Sequence, residues 1–126
     1  MRTNRITQKK IFMLKQKITP AEAESIKKAF DKCKNVVICT HTSPDGDAIG
    51  SSLGLWLYLK SLGKNPTVIV PNYFPDFLHW MEGADKIIQY DHNRTLSKAI
   101  ISSADLVCCL DFNALDRIED RATPLL

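Results

Sequence analysis

An α/β fold, with a mostly parallel sheet flanked by helices on both faces, is predicted by three features of the sequence. Two short β-branched runs, Val36-Val37-Ile38-Cys39 and Thr67-Val68-Ile69-Val70, read as buried strands. Between them, residues 51–61 carry Leu53, Trp56, Leu57 and Leu59 at helical spacings, and strand, helix, strand is the right-handed crossover unit of parallel sheets. Farther along, Asp105-Leu106-Val107-Cys108-Cys109-Leu110-Asp111 is apolar throughout its middle, the mark of a central strand buried on both faces.

In chain order, the first expected element is a helix that starts with Thr19 as cap and Pro20 at its first helical position. Ile26, Ala29, Phe30 and Cys33 mark its apolar face, and its role is structural. The helix between the first two strands is expected from about residue 47 to 62, with Gly63 as its stop. Pro71 ends the second strand. Residues 75–81 form a short helix candidate whose Phe77, Leu78 and Trp80 are expected to cover the sheet. A nucleobase platform is the rarer use of such rings. Lys86 to Tyr90 gives a brief third strand, and Asn93 or Thr95 caps a helix running to Ser103. The sequence contains no internal repeat, low-complexity segment or domain linker.

A chain of 126 residues is the size of one ordinary domain, with the apolar and charged fractions of a globular protein. No apolar run approaches the roughly 20 residues that span a bilayer. The basic start Met1-Arg2-Thr3-Asn4-Arg5 is followed by no long apolar stretch, so a secretory signal is not expected and a cytoplasmic location is. Six lysines and arginines and no acid fall within residues 1–17; removing those six from the formal +3 leaves −3 for the rest. The basic charge is therefore local, and it reads as a disordered leader rather than an arm for nucleic acid. Residues 1–12 are expected to be that leader, with the domain occupying 13–126. Cys33, Cys39, Cys108 and Cys109 form no C-x-x-C pair, which argues against structural zinc. Three of them lie in predicted buried strands, where free cysteine behaves as a small hydrophobe, in keeping with a reducing compartment.

The chemistry gathers in His41-Thr42-Ser43-Pro44-Asp45-Gly46-Asp47-Ala48-Ile49-Gly50-Ser51. It follows the first strand and leads into a helix, the place where open α/β sheets bind their ligands. Imidazole and carboxylate together suit divalent ions such as manganese, with magnesium, iron or zinc as competitors. Gly46 lets the backbone bend so that Asp45 and Asp47 converge, and Pro44 stiffens the approach. The plainer alternative is a solvated Asp-Gly turn with Asp47 capping the helix. His41 and the strand-end position favour the metal. An EF-hand loop beginning at Asp45 is excluded, because Ile49 at its fifth position cannot ligate. A dinucleotide fingerprint is excluded because only Gly46 and Gly50 are present, and there is no Walker lysine. Asp111 ends the fourth strand at the same edge of the sheet as His41. A carboxylate there needs a partner or a metal, or serves as a helix cap.

The string His-x-x-Pro-Asp-Gly-Asp-Ala-Ile-Gly-Ser resembles the first motif of the DHH phosphoesterase superfamily. Its likeness is greatest to proteins described as bifunctional oligoribonuclease and phosphoadenosine-phosphate phosphatase. The resemblance implies a Rossmann-like fold and a dinuclear manganese (Mn²⁺) hydrolase, with His41, Asp45 and Asp47 as metal ligands. Asp111 matches the strand-end aspartate that bridges the two ions, and Asp47 and Asp111 would be its catalytic residues. Implied substrates are short oligoribonucleotides and 3′-phosphoadenosine 5′-phosphate, attacked by a metal-bound hydroxide. Arg117 matches an arginine often found after the second motif, though a surface role is the stronger reading.

The name-giving Asp-His-His string does not occur in these residues. Asp91-His92-Asn93 is the nearest, precedes Asp111, and reads as a strand-to-helix turn; His79 reads as a surface histidine. The resemblance therefore covers about residues 13–120 and is expected to be the amino-terminal part of a longer protein, without the third motif and the carboxyl-terminal substrate domain. An inactive or non-catalytic metal- or nucleotide-binding fragment is the alternative. Within the superfamily the rivals are cyclic-dinucleotide phosphodiesterases, RecJ-type exonucleases and family II pyrophosphatases. Expected partners are short RNA or nucleotide phosphates and no membrane, and an exposed sheet edge leaves a homodimer open.

Overall fold

The structure is a computed structural model that describes residues 18–110. Residues 1–32 and 33–126 are two compact units, each described by itself. In the first, helix α1 spans Pro20–Lys32. Thr19 caps it as expected, its hydroxyl accepting from the Glu22 N–H at 3.1 Å.

The second unit holds strand β1 (Asn35–Cys39), helix α2 (Gly46–Ser61), strand β2 (Asn65–Val70), the two-residue strand β3 (Ile88–Gln89), helix α3 (Arg94–Ser103) and strand β4 (Leu106–Cys109). All pairings among these strands are parallel, in the order β3-β2-β1-β4. The chain steps outward from β1 through β2 to β3, then returns through α3 to the far side of β1. With right-handed connections, that reversal puts α2 and α3 on opposite faces. Alternation along the strands agrees. Val37 and Ile69 pack with Tyr90 and Ile101 beside α3. Val36, Ile38, Val68 and Val70 face the other way and are fully buried. From α2, Ala48, Ile49, Ser52, Leu53, Trp56 and Leu59 are buried. Each Ile, Leu or Val so covered contributes about 1.5–3 kcal/mol. Leu57, expected on that inner stripe, is instead exposed.

The ends of the elements follow from local chemistry. Leu62 caps α2 and Gly63 follows at φ +78°, with the Lys64 N–H returning to the Leu59 carbonyl at 3.0 Å. Pro66 lies inside β2, which begins two residues earlier than expected. The Asn65 N–H donates to the carbonyl of Lys34, just before β1, at 2.8 Å. Pro66 therefore turns its missing N–H to the side that β3 does not reach. The string Asp91-His92-Asn93 is the turn into α3 that was expected, with Asn93 at the cap position.

A further expectation fails. Strand β4 is not central among the described residues: it pairs only with β1. Leu106, Val107 and Cys108 are accordingly half-buried and Cys109 is exposed, so Cys108 and Cys109 are not the buried hydrophobes expected of them. An apolar run reports that a strand wants cover on both sides, not which segment supplies it.

The entry of β4 is fixed by charge. The Asp105 carboxylate accepts from the N–H groups of Lys34 at 2.7 Å and Asn35 at 2.8 Å. These two bonds hold its pKa below the ordinary 3.8, against a small opposing effect of desolvation. A depressed carboxylate pKa stabilises the fold above the unfolded-state value, and that contribution fades as pH falls through the folded one. Urea unfolding of wild type and Asp105→Asn should therefore differ near neutral pH, with wild type more stable. The difference should close below about pH 4. A gap that persists unchanged in acid would show that the carboxylate charge is not what joins β4 to β1.

Candidate metal centre

Strands β1 and β4 lie side by side, and the strand order reverses between them: β1 continues outward through α2 to β2, whereas β4 is reached by the return through α3. Their carboxyl ends therefore form the switch point of the sheet, where a crevice opens. His41 follows β1 by two residues. Its ring is buried, and Nδ1 lies 2.8 Å from the Thr42 carbonyl. A carbonyl at that distance fixes the proton on Nδ1 and leaves Nε2 as the basic nitrogen, the usual arrangement of a metal-binding histidine. Nε2 lies 4.0 Å from Asp45 Oδ1, too far for a hydrogen bond but within the span of two ligands on one ion.

Asp45 has extended backbone and caps α2, its Oδ1 accepting from the Ala48 N–H at 3.0 Å. The capping role expected as the alternative for Asp47 thus belongs to Asp45. Asp47 stands instead in the first turn of α2, exposed. With Gly46, Gly50, Ser51 and Leu110 it lines an open hollow of about 540 Å³. The hollow joins the first turns of α2 to the end of β4, and Leu110 is tied across to β1 by its N–H on the Cys39 carbonyl, 2.9 Å. Asp111 and Arg117 lie outside the described residues. Among the described residues, no three of His, Cys, Asp and Glu are gathered closely enough to hold a metal. Of the expected ligands, then, His41 and Asp45 are brought together, and Asp47 stands in the first turn of α2 on the hollow.

The donors nonetheless fit a divalent ion. The amino end of α2 carries partial positive charge and favours an anion. Two carboxylates at that same end repel a phosphate unless a cation lies between them. Sulfur is a poor competitor for that cation. Cys39 and Cys109 are register partners with Sγ atoms 3.5 Å apart. Burial, followed by the neighbouring Cys109, pushes the Cys39 thiol well above its ordinary range. Burial, with Cys33 and Cys109 adding to it, pushes the Cys108 thiol up to about 11. These two thiols stay protonated at neutral pH, whereas the thiolate is the ligating form.

Sequence reading missed Asn72. Its Oδ1 accepts from the Ser43 N–H at 2.7 Å, and its Nδ2 donates to Ser43 Oγ at 3.2 Å. Ser43 is the non-glycine residue with positive φ among those described, at +54°. A serine in that left-handed conformation costs about 1–2 kcal/mol, and the two bonds from Asn72 hold it there. No local signal marks Asn72, whose partner is 29 residues away. His79 is exposed and stacked on Phe74, with centroids 4.2 Å apart, as a surface histidine.

The described chain is thus a Rossmann-like parallel sheet with a histidine and two aspartates in the loop at its switch point. The model of the DHH family, N-terminal domain, matches residues 35–125, and the chain belongs to that family. Over 29 residues it is 69% identical to the bifunctional oligoribonuclease and PAP phosphatase NrnA of Thermus thermophilus, a match covering 23% of this chain and 9% of that protein. It also resembles the crystal structure of an exopolyphosphatase-related protein from Bacteroides fragilis, with a TM-score of 0.79 and 49% identity. That match covers 81% of this chain and 30% of the other, so the chain spans about a third of its structural relative. Among the described residues, no helix is long and apolar enough to cross a membrane.

Proposed function

We propose that this chain is the metal-binding part of a divalent-metal-dependent phosphoesterase acting on short oligoribonucleotides and 3′-phosphoadenosine 5′-phosphate. The hollow at the β1–β4 switch point carries the reading. Asp47 and the glycine-lined first turns of α2 face it, and Asp111 is next in sequence to Leu110 at its far wall. His41, Asp45, Asp47 and Asp111 would hold the metal, manganese by family resemblance. A bound divalent ion supplies Lewis acidity and activates water for attack on phosphorus. The chain's own contribution is to fix the His41 tautomer through Thr42, to aim Asp45 through its cap, and to present open backbone at Gly46 and Gly50. The name of the Thermus relative supports the nucleotide substrates.

Asp47→Asn and Asp111→Asn, made in the protein as it occurs and assayed with Mn²⁺, should each lower hydrolysis by about 10³-fold, the worth of several kcal/mol of metal catalysis. Retained turnover in both would overturn the assignment. Comparing a dinucleotide, a cyclic dinucleotide, long single-stranded DNA and pyrophosphate separates the proposed substrates from those of the superfamily rivals. A second reading is a metal- or nucleotide-binding module without turnover, in keeping with the lack of an Asp-His-His string in these residues. Mn²⁺ binding with no hydrolysis of any of these substrates would establish it.

A further inference from the structure

Residues 71–83, the first part of the connection from β2 to β3, carry an aromatic surface that the sheet does not use. Phe74 and Leu78 turn inward and are buried, whereas Tyr73, Phe77 and Trp80 are 68, 71 and 78% exposed. The expectation that Phe77 and Trp80 cover the sheet is therefore wrong. The backbone explains it. The Leu78 N–H bonds Pro75, the His79 N–H bonds Asp76, and the Met81 N–H bonds Leu78, each three residues back. At that spacing, side chains three apart lie on one side, so Phe77 and Trp80 share the outer side while Leu78 takes the inner one. The turn is held rigid by the Phe74–His79 stack, whose planes are 9° apart.

This segment adjoins the metal loop. Asn72, beside Tyr73, makes both hydrogen bonds to Ser43. Leu78, beside Phe77, comes within 4.0 Å of where a side chain on Gly46 would begin. Residues 71–83 contain no lysine or arginine. The segment therefore offers ring faces but no lysine or arginine for a phosphate, and the neighbouring loop offers the candidate metal ligands but no ring besides the buried His41 imidazole.

We infer that Tyr73, Phe77 and Trp80 form a stacking surface for the nucleobase of a nucleotide whose phosphate lies at the metal loop. This rests on the phosphoesterase reading above and adds to it the group that selects nucleotides over base-free phosphates. Base–aromatic stacking is worth about 1–3 kcal/mol per base and tolerates any base, so the surface selects for a base without selecting its sequence.

Trp80 reports directly. Adenosine 5′-monophosphate, titrated in the presence of Mg²⁺, should quench a fluorescence component that is missing from Trp80→Phe, and ribose 5-phosphate should not. Phe77→Ala should weaken that binding by about 5- to 100-fold. In hydrolysis, Phe77→Ala should lower kcat/KM for a dinucleotide about 5- to 100-fold more than for its abasic counterpart, a difference a general folding defect would not produce. Equal quenching by the two phosphates, or equal losses on the two substrates, would overturn the inference. Should wild type hydrolyse nothing, the phosphoesterase reading fails and the quenching titration still decides: selective quenching upholds the surface and its absence removes it.

Discussion

Gly83→Ala should destabilise the fold by about 2–5 kcal/mol, read as a lowered urea midpoint with unchanged slope. Two causes act together. Gly83 has φ +89°, where a residue with Cβ loses about 1–2 kcal/mol. A Cβ there would also stand 2.6 Å from Cζ3 and 2.9 Å from Cε3 of Trp56, distances at which something must move. Trp56 is buried on the inner stripe of α2, and Lys60 lies over its ring at 4.6 Å, so the ring is not a loose end that swings aside. Overpacking of this kind costs about 1–3 kcal/mol. Gly54→Ala provides the opposite case. Gly54 is exposed on the same helix with nothing within 4 Å, so alanine there should stabilise by about 0.5–1 kcal/mol. Effects of the same sign from the two substitutions would show that the Gly83–Trp56 contact does not pin the 71–83 segment to α2.

The same contrast shows what the sequence makes legible. The strands and α2 are readable because β-branched runs and helical spacing are local, and α2 lies within one residue of its expected ends. The strand-to-helix loop that carries His41, Asp45 and Asp47 is readable because the three fall within seven residues between a β-branched run and a helical spacing. The assignment of the cap is not readable. Asp45 and Asp47 are equally good cap residues, and the choice falls to Asp45 because its backbone is extended, with ψ −170°. The position of β4 in the sheet, the Asn72–Ser43 bonds and the outward side of Phe77 and Trp80 depend on partners far away in sequence or on a three-residue turn. Hydrophobicity alone places aromatic rings inside, and here the inward places are filled by Phe74 and Leu78.

Asp45 is asked to do two things at once, to cap α2 and to hold a metal with His41, and two substitutions separate them. Asp45→Asn keeps an oxygen for the Ala48 N–H. Without metal it should lose only the attraction of a carboxylate to the helix end, about 0.3–1 kcal/mol. Asp45→Ala gives up that attraction and the cap, about 1–3 kcal/mol together. With Mn²⁺ the order stays and the gap widens. Wild type should gain about 2.7 kcal/mol at a hundred times its dissociation constant. Both variants should gain far less, because asparagine restores the hydrogen bond but not the charge. Urea unfolding of the three proteins, with and without Mn²⁺, reads both effects in one experiment. If Asp45→Asn is stabilised by Mn²⁺ as much as wild type, Asp45 is a cap and nothing more. The ion would then rest on His41, Asp47 and Asp111, and the 4.0 Å between His41 and Asp45 would be the approach of a neighbour rather than the span of a site.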